Sequence, residues 1–396
     1  LSTKYVIIIP DGAADQPLEI FDGKTVLEAA KTTNMDWISK NGKQGLVWTV
    51  PANLTPGSDV AMLSLLGYDP VKHYTGRAPI EAVAMGVPMK PNDWIFRCNL
   101  VTFADKKMAD HSAGHIRDKE AHILIKDLQA ALKDDRLTLY PGVSYRNLCL
   151  FTGLDFDVKT QPPHDIIGQS VDKNLPKGKN SNILVDIMAR SQQFFAEHEI
   201  NKIRKDLGEN PVSSIWLWGQ GQQAFLEKFS KRFGLKGAAI TAVDLVRGLA
   251  KLIGFDLIEV EGATGYVDTN YTGKANAAIE ALEKYDIVLV HIEAPDEAGH
   301  AGSAEIKKRA VENIDKLIVG PVLEALKKYD SWRILVMPDH PTPVSTQAHS
   351  SDPVPFAMAG NGIKGVLSES FCEKSAFETG FVIDRGWELM EYFTKM

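Results

Sequence analysis

The feature that most constrains this chain is a set of short, unbroken apolar runs, each leading into acidic or imidazole side chains. Tyr5–Pro10 is such a run, and it delivers Asp11-Gly12. Apolar runs without alternation read as strands buried on both faces, the condition of a parallel sheet covered by helices on each side. Helical periodicity follows from Thr25 to Lys40, with Val26, Ala29, Ala30, Met35 and Ile38 on the inner face. The pattern returns late in the chain. A helix is expected at Lys274–Lys284 and a strand at Asp286–Glu293. A helical stretch follows at Ala304–Lys328, with a break near Gly320-Pro321, and then strands at Arg333–Met337 and Val354–Ala359. Strand–helix alternation of this kind predicts an α/β fold with a mainly parallel sheet flanked by helices.

Between these halves the texture changes. A chain of 396 residues exceeds what one hydrophobic core usually serves. From about Asp105 to Lys179 the apolar runs are shorter and more mixed, as in Leu137–Tyr140 and Asn147–Phe151. Thr160–Lys179 is rich in Pro, Gly, Asp and Lys and reads as a long loop. Ile183–Glu197 then looks helical, and Ser214–Trp218 looks like a strand returning to the main sheet. The expected organisation is a discontinuous core, 1–105 and 182–396, carrying a smaller inserted α+β domain at 106–181.

Hydrophobic residues make up 44% and charged residues 24%, the balance of an ordinary globular protein. The net charge of -7, with no concentrated basic face, argues against nucleic acid or an anionic membrane as partner. A small anionic substrate stays compatible, provided cations and a few local basic residues hold it. Cys98, Cys149 and Cys372 are scattered singly, which suggests free buried thiols in a reducing compartment. The apolar runs are far too short to cross a bilayer. The opening Leu1-Ser2-Thr3-Lys4 leads straight into a strand, so no secretion signal is expected and a cytoplasmic setting is.

Three strands end in side chains of the metal-binding type. The first delivers Asp11, the strand at Asp286–Glu293 delivers Asp296 and His300, and the strand at Arg333–Met337 delivers Asp339-His340, with His349 in the following loop. Ligands collect at the carboxyl ends of strands in open α/β sheets, so these distant segments can converge. Asp296 and His300 are four residues apart, which on a helical turn puts both on one face. A lone Asp-x-x-x-His is more often a surface pair than a ligand pair. Three such groups, each behind a predicted strand, favour ligation. Mixed carboxylate and imidazole donors suit manganese or zinc better than calcium, and magnesium accepts fewer histidines.

A nucleophile candidate lies in Leu54-Thr55-Pro56-Gly57-Ser58-Asp59-Val60-Ala61. Pro-Gly forces a turn, and Ser58 then stands at the start of an apolar helix running through Met62, Leu65 and Leu66. Serine there is a favoured helix cap. A helix N-terminus also stabilises phosphate, and a serine hydroxyl becomes nucleophilic once a base or metal lowers its pKa. No Gly-Lys-Ser/Thr phosphate loop occurs.

Taken together, Pro10-Asp11-Gly12, Gly57-Ser58-Asp59-Val60-Ala61, Pro295-Asp296-Glu297-Ala298-Gly299-His300 and Pro338-Asp339-His340 with His349 resemble the alkaline phosphatase superfamily. Within it the chain resembles the archaeal type of cofactor-independent phosphoglycerate mutase. The likeness extends to Leu66-Gly67-Tyr68-Asp69-Pro70, Thr75-Gly76-Arg77-Ala78-Pro79, Ala113-Gly114-His115, Gly142-Val143-Ser144-Tyr145-Arg146 and the segment Gly262–Asn270. It spans essentially the whole chain.

The resemblance implies an alkaline-phosphatase-like core and two divalent metal ions, manganese first, with zinc, magnesium or cobalt as alternatives. One ion would be held by Asp296, His300 and His349, the other by Asp11, Ser58, Asp339 and His340. The implied reaction interconverts 3-phosphoglycerate and 2-phosphoglycerate, with Ser58 taking the phosphoryl group and returning it. The insert would cover the substrate and keep water from the phosphoserine. By the same resemblance Arg146, Lys274, His115, His164 and Arg204 are candidates to hold the small phosphorylated hydroxy acid; each is otherwise an ordinary surface residue.

Two positions depart from the family pattern. Trp218-Gly219-Gln220-Gly221 stands where relatives carry Arg-Gly-Ala-Gly, and His115 where they often carry arginine. These changes leave the metal ligands alone and bear on the acceptor, so transfer to another small hydroxy compound such as homoserine is the alternative. A phosphohydrolase and a metal-stabilised structural module are further readings. Trp216 and Trp218 share one strand face, where core packing is the default and pocket lining the alternative for Trp218. Self-association is compatible with all of these readings.

Overall fold

A computed structural model of the chain describes residues 3–365 and 368–395. In chain order its strands are β1 (Lys4–Pro10), β2 (Lys43–Val47), β3 (Trp94–Ala104), β4 (Lys107–Asp110), β5 (Leu137–Tyr140), β6 (Arg146–Phe151), β7 (Asp157–Lys159) and β8 (Lys177–Lys179). They continue with β9 (Ser214–Gln222), β10 (Gly237–Ile240), β11 (Asp256–Leu257), β12 (Ile287–Ile292), β13 (Trp332–Val336), β14 (Val354–Gly360) and β15 (Val382–Ile383). The chain divides into two compact units, Leu1–Tyr74 with Phe225–Met396, and Thr75–Ala224.

The larger unit holds an eight-stranded sheet in the order β11-β10-β12-β1-β13-β14-β2-β15. The strands β10, β12, β1 and β13 run parallel, while β14 is antiparallel to both of its neighbours. Central position explains why β1 is apolar without alternation. Val6 and Ile8 turn to a face covered by the helices Tyr271–Ala281 and Ala304–Ile314, and Ile7 and Ile9 turn to the other face, all four at 0% exposure. The expected mainly parallel α/β sheet is present.

The stretch expected as one helix at 25–40 forms two, Val26–Ala29 and Thr33–Asn41. The first is closed by a capping box between Thr25 and Glu28. The start of the second is held by the Asp315 carboxylate, which accepts from the Asn34 and Met35 amides. That cap comes from 280 residues away and leaves no local signal. The break expected near Gly320-Pro321 does not interrupt the helix there. Ala304–Ile314 passes through a wider π turn, Asp315–Val319, into Gly320–Leu326. The wider turn accommodates a proline that has no amide to donate.

In the smaller unit β3 is central, antiparallel to β6 on one side and β9 on the other, with β4 and β5 completing a five-stranded sheet. The helices Asp118–Leu132 and Ser181–Glu197 pack into its core. Phe96, Phe151 and Phe156 meet edge to face there, with centroids 5.2–5.5 Å apart. Two sequence expectations are corrected here. Ser214–Trp218 lies in β9 and pairs with β3 in this sheet, not with the main sheet. The smaller unit accordingly spans 75–224 and not 106–181. An apolar run states that a strand is buried but not which strand it pairs with.

Candidate metal centre and nucleophile

The parallel strands β12, β1 and β13 are neighbours, so the loops at their carboxyl ends open side by side. Asp11 follows β1 directly, and Asp339-His340 follow β13. After β12 the short helix Ala294–His300 begins with Pro295 near its first turn and carries Asp296 and His300 on one side. The i,i+4 expectation is met, with His300 Nε2 3.4 Å from Asp296 Oδ2.

Two overlapping donor groups result. In one, His300 Nε2 lies 2.9 Å from His349 Nε2, and His349 Nε2 lies 3.4 Å from Asp296 Oδ1. In the other, His340 Nε2 lies 3.1 Å from Ser58 Oγ, 3.4 Å from Asp339 Oδ2 and 3.7 Å from Asp11 Oδ1. Asp296 also stands within reach of Asp11 and His340 and so borders both groups. Ser58 opens the helix Ser58–Leu65, but Gly57 occupies the cap position and no side chain caps this end. The Ser58 hydroxyl therefore faces His340 and is not spent as a cap.

The buried carboxylates each offer one oxygen to this space. Asp339 Oδ1 accepts from the amides of Gly12 and His340, and Asp11 Oδ2 lies 3.0 Å from His291 Nε2. The remaining oxygens, Asp339 Oδ2 and Asp11 Oδ1, are buried and make no hydrogen bond. Acceptors that face acceptors in a dry interior need a cation or a proton between them. The imidazoles are set to accept one. The Nδ1 of His300 lies 2.9 Å from the Gln347 carbonyl, and the Nδ1 of His340 faces the Pro341 carbonyl and Thr342 Oγ1, so each ring in its neutral form keeps its lone pair on Nε2. Carboxylates and imidazoles are the donors that divalent transition ions accept, so the residues fit such an ion.

The crowding of carboxylates and imidazoles shifts their proton affinities in opposite directions. Burial, then the neighbouring Asp339 and Asp296 carboxylates, raises Asp11 well above the ordinary carboxylate range. For Asp296 burial pushes upward, but hydrogen bonds with His300 and His349 outweigh it and hold the group well below its usual value. The Asp296 hydrogen bond raises His300 to about 9, while burial lowers His291 to about 4 and also lowers His340.

Around the donors the loops are cross-tied. Thr342 Oγ1 donates to Asp296 Oδ1. Lys307 Nζ donates to Asp15 Oδ2 at 2.7 Å and to the carbonyls of Thr342 and Ala14 at 2.8 and 3.1 Å, which joins the loop after β1 to the loop after β13. Gly12 sits at φ +62°, and a Cβ there would stand 2.6 Å from both Asp296 Oδ1 and Thr342 Oγ1.

The residues proposed to hold substrate fall into different settings. Lys274, in the larger unit, is buried and donates to the His291 carbonyl at 3.0 Å, and burial lowers it to about 8. In the smaller unit Arg146 and His115 are exposed and lie against the Tyr145 ring, and exposed His164 lies against Trp218 and His111. Arg204 does not share that setting. Its buried guanidinium bonds Glu120 at 2.7 Å, Glu209 at 3.0 Å and the carbonyls of Ala113 and Asn210, so it ties its own unit together and has no free edge for a ligand. Trp218 is packed as well, donating to Asn99 Oδ1 at 3.0 Å beneath the Arg97 guanidinium. Gly219-Gln220-Gly221 belongs to β9, where a Cβ on Gly221 would strike the Thr75 carbonyl, so close backbone packing explains that glycine.

Sequence reasoning missed His291 and Thr342, which contact Asp11 and Asp296. An imidazole inside the otherwise apolar Ile287–Ile292 was the available signal for His291. Thr342 carried none.

A family model described as 2,3-bisphosphoglycerate-independent phosphoglycerate mutase matches residues 39–201. A relative of that name from Methanothrix thermoacetophila is 47% identical over 388 residues, covering 98% of each chain. One from Geobacter sulfurreducens, named as probable, is 45% identical and again covers 98% of each. Among solved structures, a Pyrococcus horikoshii protein superposes with TM-score 0.84 at 29% identity, covering 100% of this chain and 97% of its own. The cofactor-independent phosphoglycerate mutase of Thermoplasma acidophilum shares the fold, with TM-score 0.67 at 24% identity and 99% coverage of each chain. Among the described residues no helix is long and apolar enough to cross a membrane.

Proposed function

The chain belongs to the 2,3-bisphosphoglycerate-independent phosphoglycerate mutase family, and we propose that it interconverts 3-phosphoglycerate and 2-phosphoglycerate through a phosphoserine on Ser58. The observation that carries this is the Ser58 hydroxyl, uncapped and 3.1 Å from His340 Nε2, beside two buried carboxylate oxygens without partners. Two divalent cations, manganese first among manganese, zinc, magnesium and cobalt, would be held by Asp296, His300 and His349 and by Asp11, Ser58, Asp339 and His340. They would supply the positive charge that lowers the serine pKa and offsets the phosphoryl oxygens.

In the first half-reaction Ser58 Oγ bonds to phosphorus, the bond from phosphorus to the C3 oxygen breaks, and the proton lost from Ser58 is balanced by one on the released C3 hydroxyl. In the second, the C2 oxygen attacks the phosphoserine and Ser58 regains a proton. No net hydrolysis occurs if glycerate stays bound between the halves. Arg146, His115, His164 and Lys274 are the candidates to hold its carboxylate and phosphate, since cationic and imidazole donors match those anions. Shielding the phosphoserine from water is the role proposed for the smaller unit.

The test is an enolase-coupled assay with Mn²⁺ and no bisphosphoglycerate. Interconversion is expected, with Ser58→Ala reduced to background while still binding metal. Substantial transfer by Ser58→Ala would remove the serine from the route. An inert wild type that instead phosphorylates homoserine, or that only releases inorganic phosphate, would replace the mutase reading with a kinase or hydrolase one.

A further inference from the structure

His291 has no place in the ligand sets above, yet it is fully buried beside one of them. In β12 the side chains of Val288, Val290 and Ile292 enter the core of one face, so His291 points to the opposite face, the one toward which Asp11 turns beyond β1. Registers place Ile9 opposite His291 and Ile240 opposite Val290. Thr241, His291 and Asp11 therefore stand in a row across the carboxyl ends of β10, β12 and β1. The contacts follow that row: Thr241 Oγ1 lies 3.2 Å from His291 Nδ1, and His291 Nε2 lies 3.0 Å from Asp11 Oδ2.

Thr241 Oγ1 accepts the Val243 amide at 3.1 Å, so its own hydrogen is available to His291 Nδ1. With Nδ1 accepting, the ring carries its hydrogen on Nε2 and donates to Asp11 Oδ2. That engages one Asp11 oxygen and leaves the other, Oδ1, as the buried oxygen without a partner that faces His340. The Lys274 ammonium fixes the His291 backbone by donating to its carbonyl. A histidine needed only to fill space would not require a donor on one side and an acceptor on the other.

We propose that His291, oriented by Thr241, is a positioning residue that turns Asp11 so that it offers a single oxygen, Oδ1, to a divalent cation. The proposal rests on the metal-site reading above. Partners of this kind typically change metal affinity by about 10–100-fold when removed.

The test is Mn²⁺ titration of the metal-free protein by calorimetry, with the melting temperature of each metal-free variant measured beside it. His291→Leu removes the donor, His291→Asn returns an amide N–H of shorter reach, and Thr241→Val removes only the orienting hydroxyl. Wild type is expected to bind two ions. His291→Leu should weaken one of them by about 10-fold or more and leave the other nearly unchanged. Thr241→Val should weaken the same ion by less, and His291→Asn should recover much of the loss. Should His291→Leu misfold, Thr241→Val and His291→Asn decide the matter. Unchanged affinities in the folded variants would overturn the proposal. So would weakening of the same ion by His291→Asn as severe as by His291→Leu, since the imidazole would then act as something other than a donor. A wild type that binds no Mn²⁺ would instead remove the metal-site reading and this proposal with it.

Discussion

Replacing Lys307 with methionine should be among the most damaging single changes in the larger unit. The side chains of Lys307 and Asp15 are both at 0% exposure and meet at 2.7 Å. Burial lowers the lysine pKa, and Asp15 opposes that shift. Lys307→Met keeps the length and apolar stem of the side chain but strands the Asp15 charge and two backbone carbonyls. Breaking a buried pair from one side costs about 3–5 kcal/mol, chiefly because an uncompensated charge remains. For a unit of about 250 residues each kcal/mol is worth about 2–4 °C, so melting should fall by about 6–20 °C. Circular dichroism of the metal-free protein reads this directly. Adding Asp15→Asn removes the stranded charge and keeps an acceptor for the Gln16 amide, so the double variant should melt above the single one. A single variant that melts with the wild type would refute the reasoning. So would a double variant that melts lower still, because the cost would then not come from an unpaired charge.

Three further outcomes are expected. Lys274, lowered from 10.5 to about 8 by burial, loses its charge as pH rises through 8, so the KM for phosphoglycerate should climb above that pH and Lys274→Met should flatten the profile. Between about 8 and 10.5 the unfolded chain binds more protons at this site than the folded one, so stability rises with pH there and unfolding would not explain a climbing KM. Arg204→Met should lower the melting temperature by breaking buried pairs, while the KM of the folded enzyme stays put; a KM that rises with the wild-type melting point retained would return Arg204 to the substrate site. Gly12→Ala forces a Cβ to 2.6 Å from Asp296 and Thr342 at a positive φ, and calorimetry should show Mn²⁺ affinity sharply reduced; full affinity would show that these loops are not closely fitted.

The residues around Ser58 were legible because their signals are local. Tyr5–Pro10 announces its double-sided burial by lacking alternation, and a strand of that kind delivers its next residue, Asp11, to the carboxyl edge of the sheet. Asp296 and His300 announce a shared face by their spacing. Other features had no local signature. Asp315 caps a helix 280 residues away, and Thr342 reaches Asp296 only because the loops after β12 and β13 meet. Arg204 and Arg146 look alike as sequence, and burial alone separates a guanidinium that ties a unit together from one that stays exposed.

Ser58 shows where the division lies. Its local sequence, a turn followed by an apolar helix, determined that a hydroxyl would stand at a helix start, and the clustered acids and histidines determined that carboxylate and imidazole donors would gather at one edge of the sheet. Only the tertiary structure decided that Gly57 takes the cap position, that the hydroxyl lies 3.1 Å from His340, and that His291 and two backbone amides each occupy one oxygen of the buried carboxylates. Helix and strand follow from interactions a few residues apart, which a sequence displays. Which lone pairs remain unused depends on side chains that are hundreds of residues apart until the strands pair.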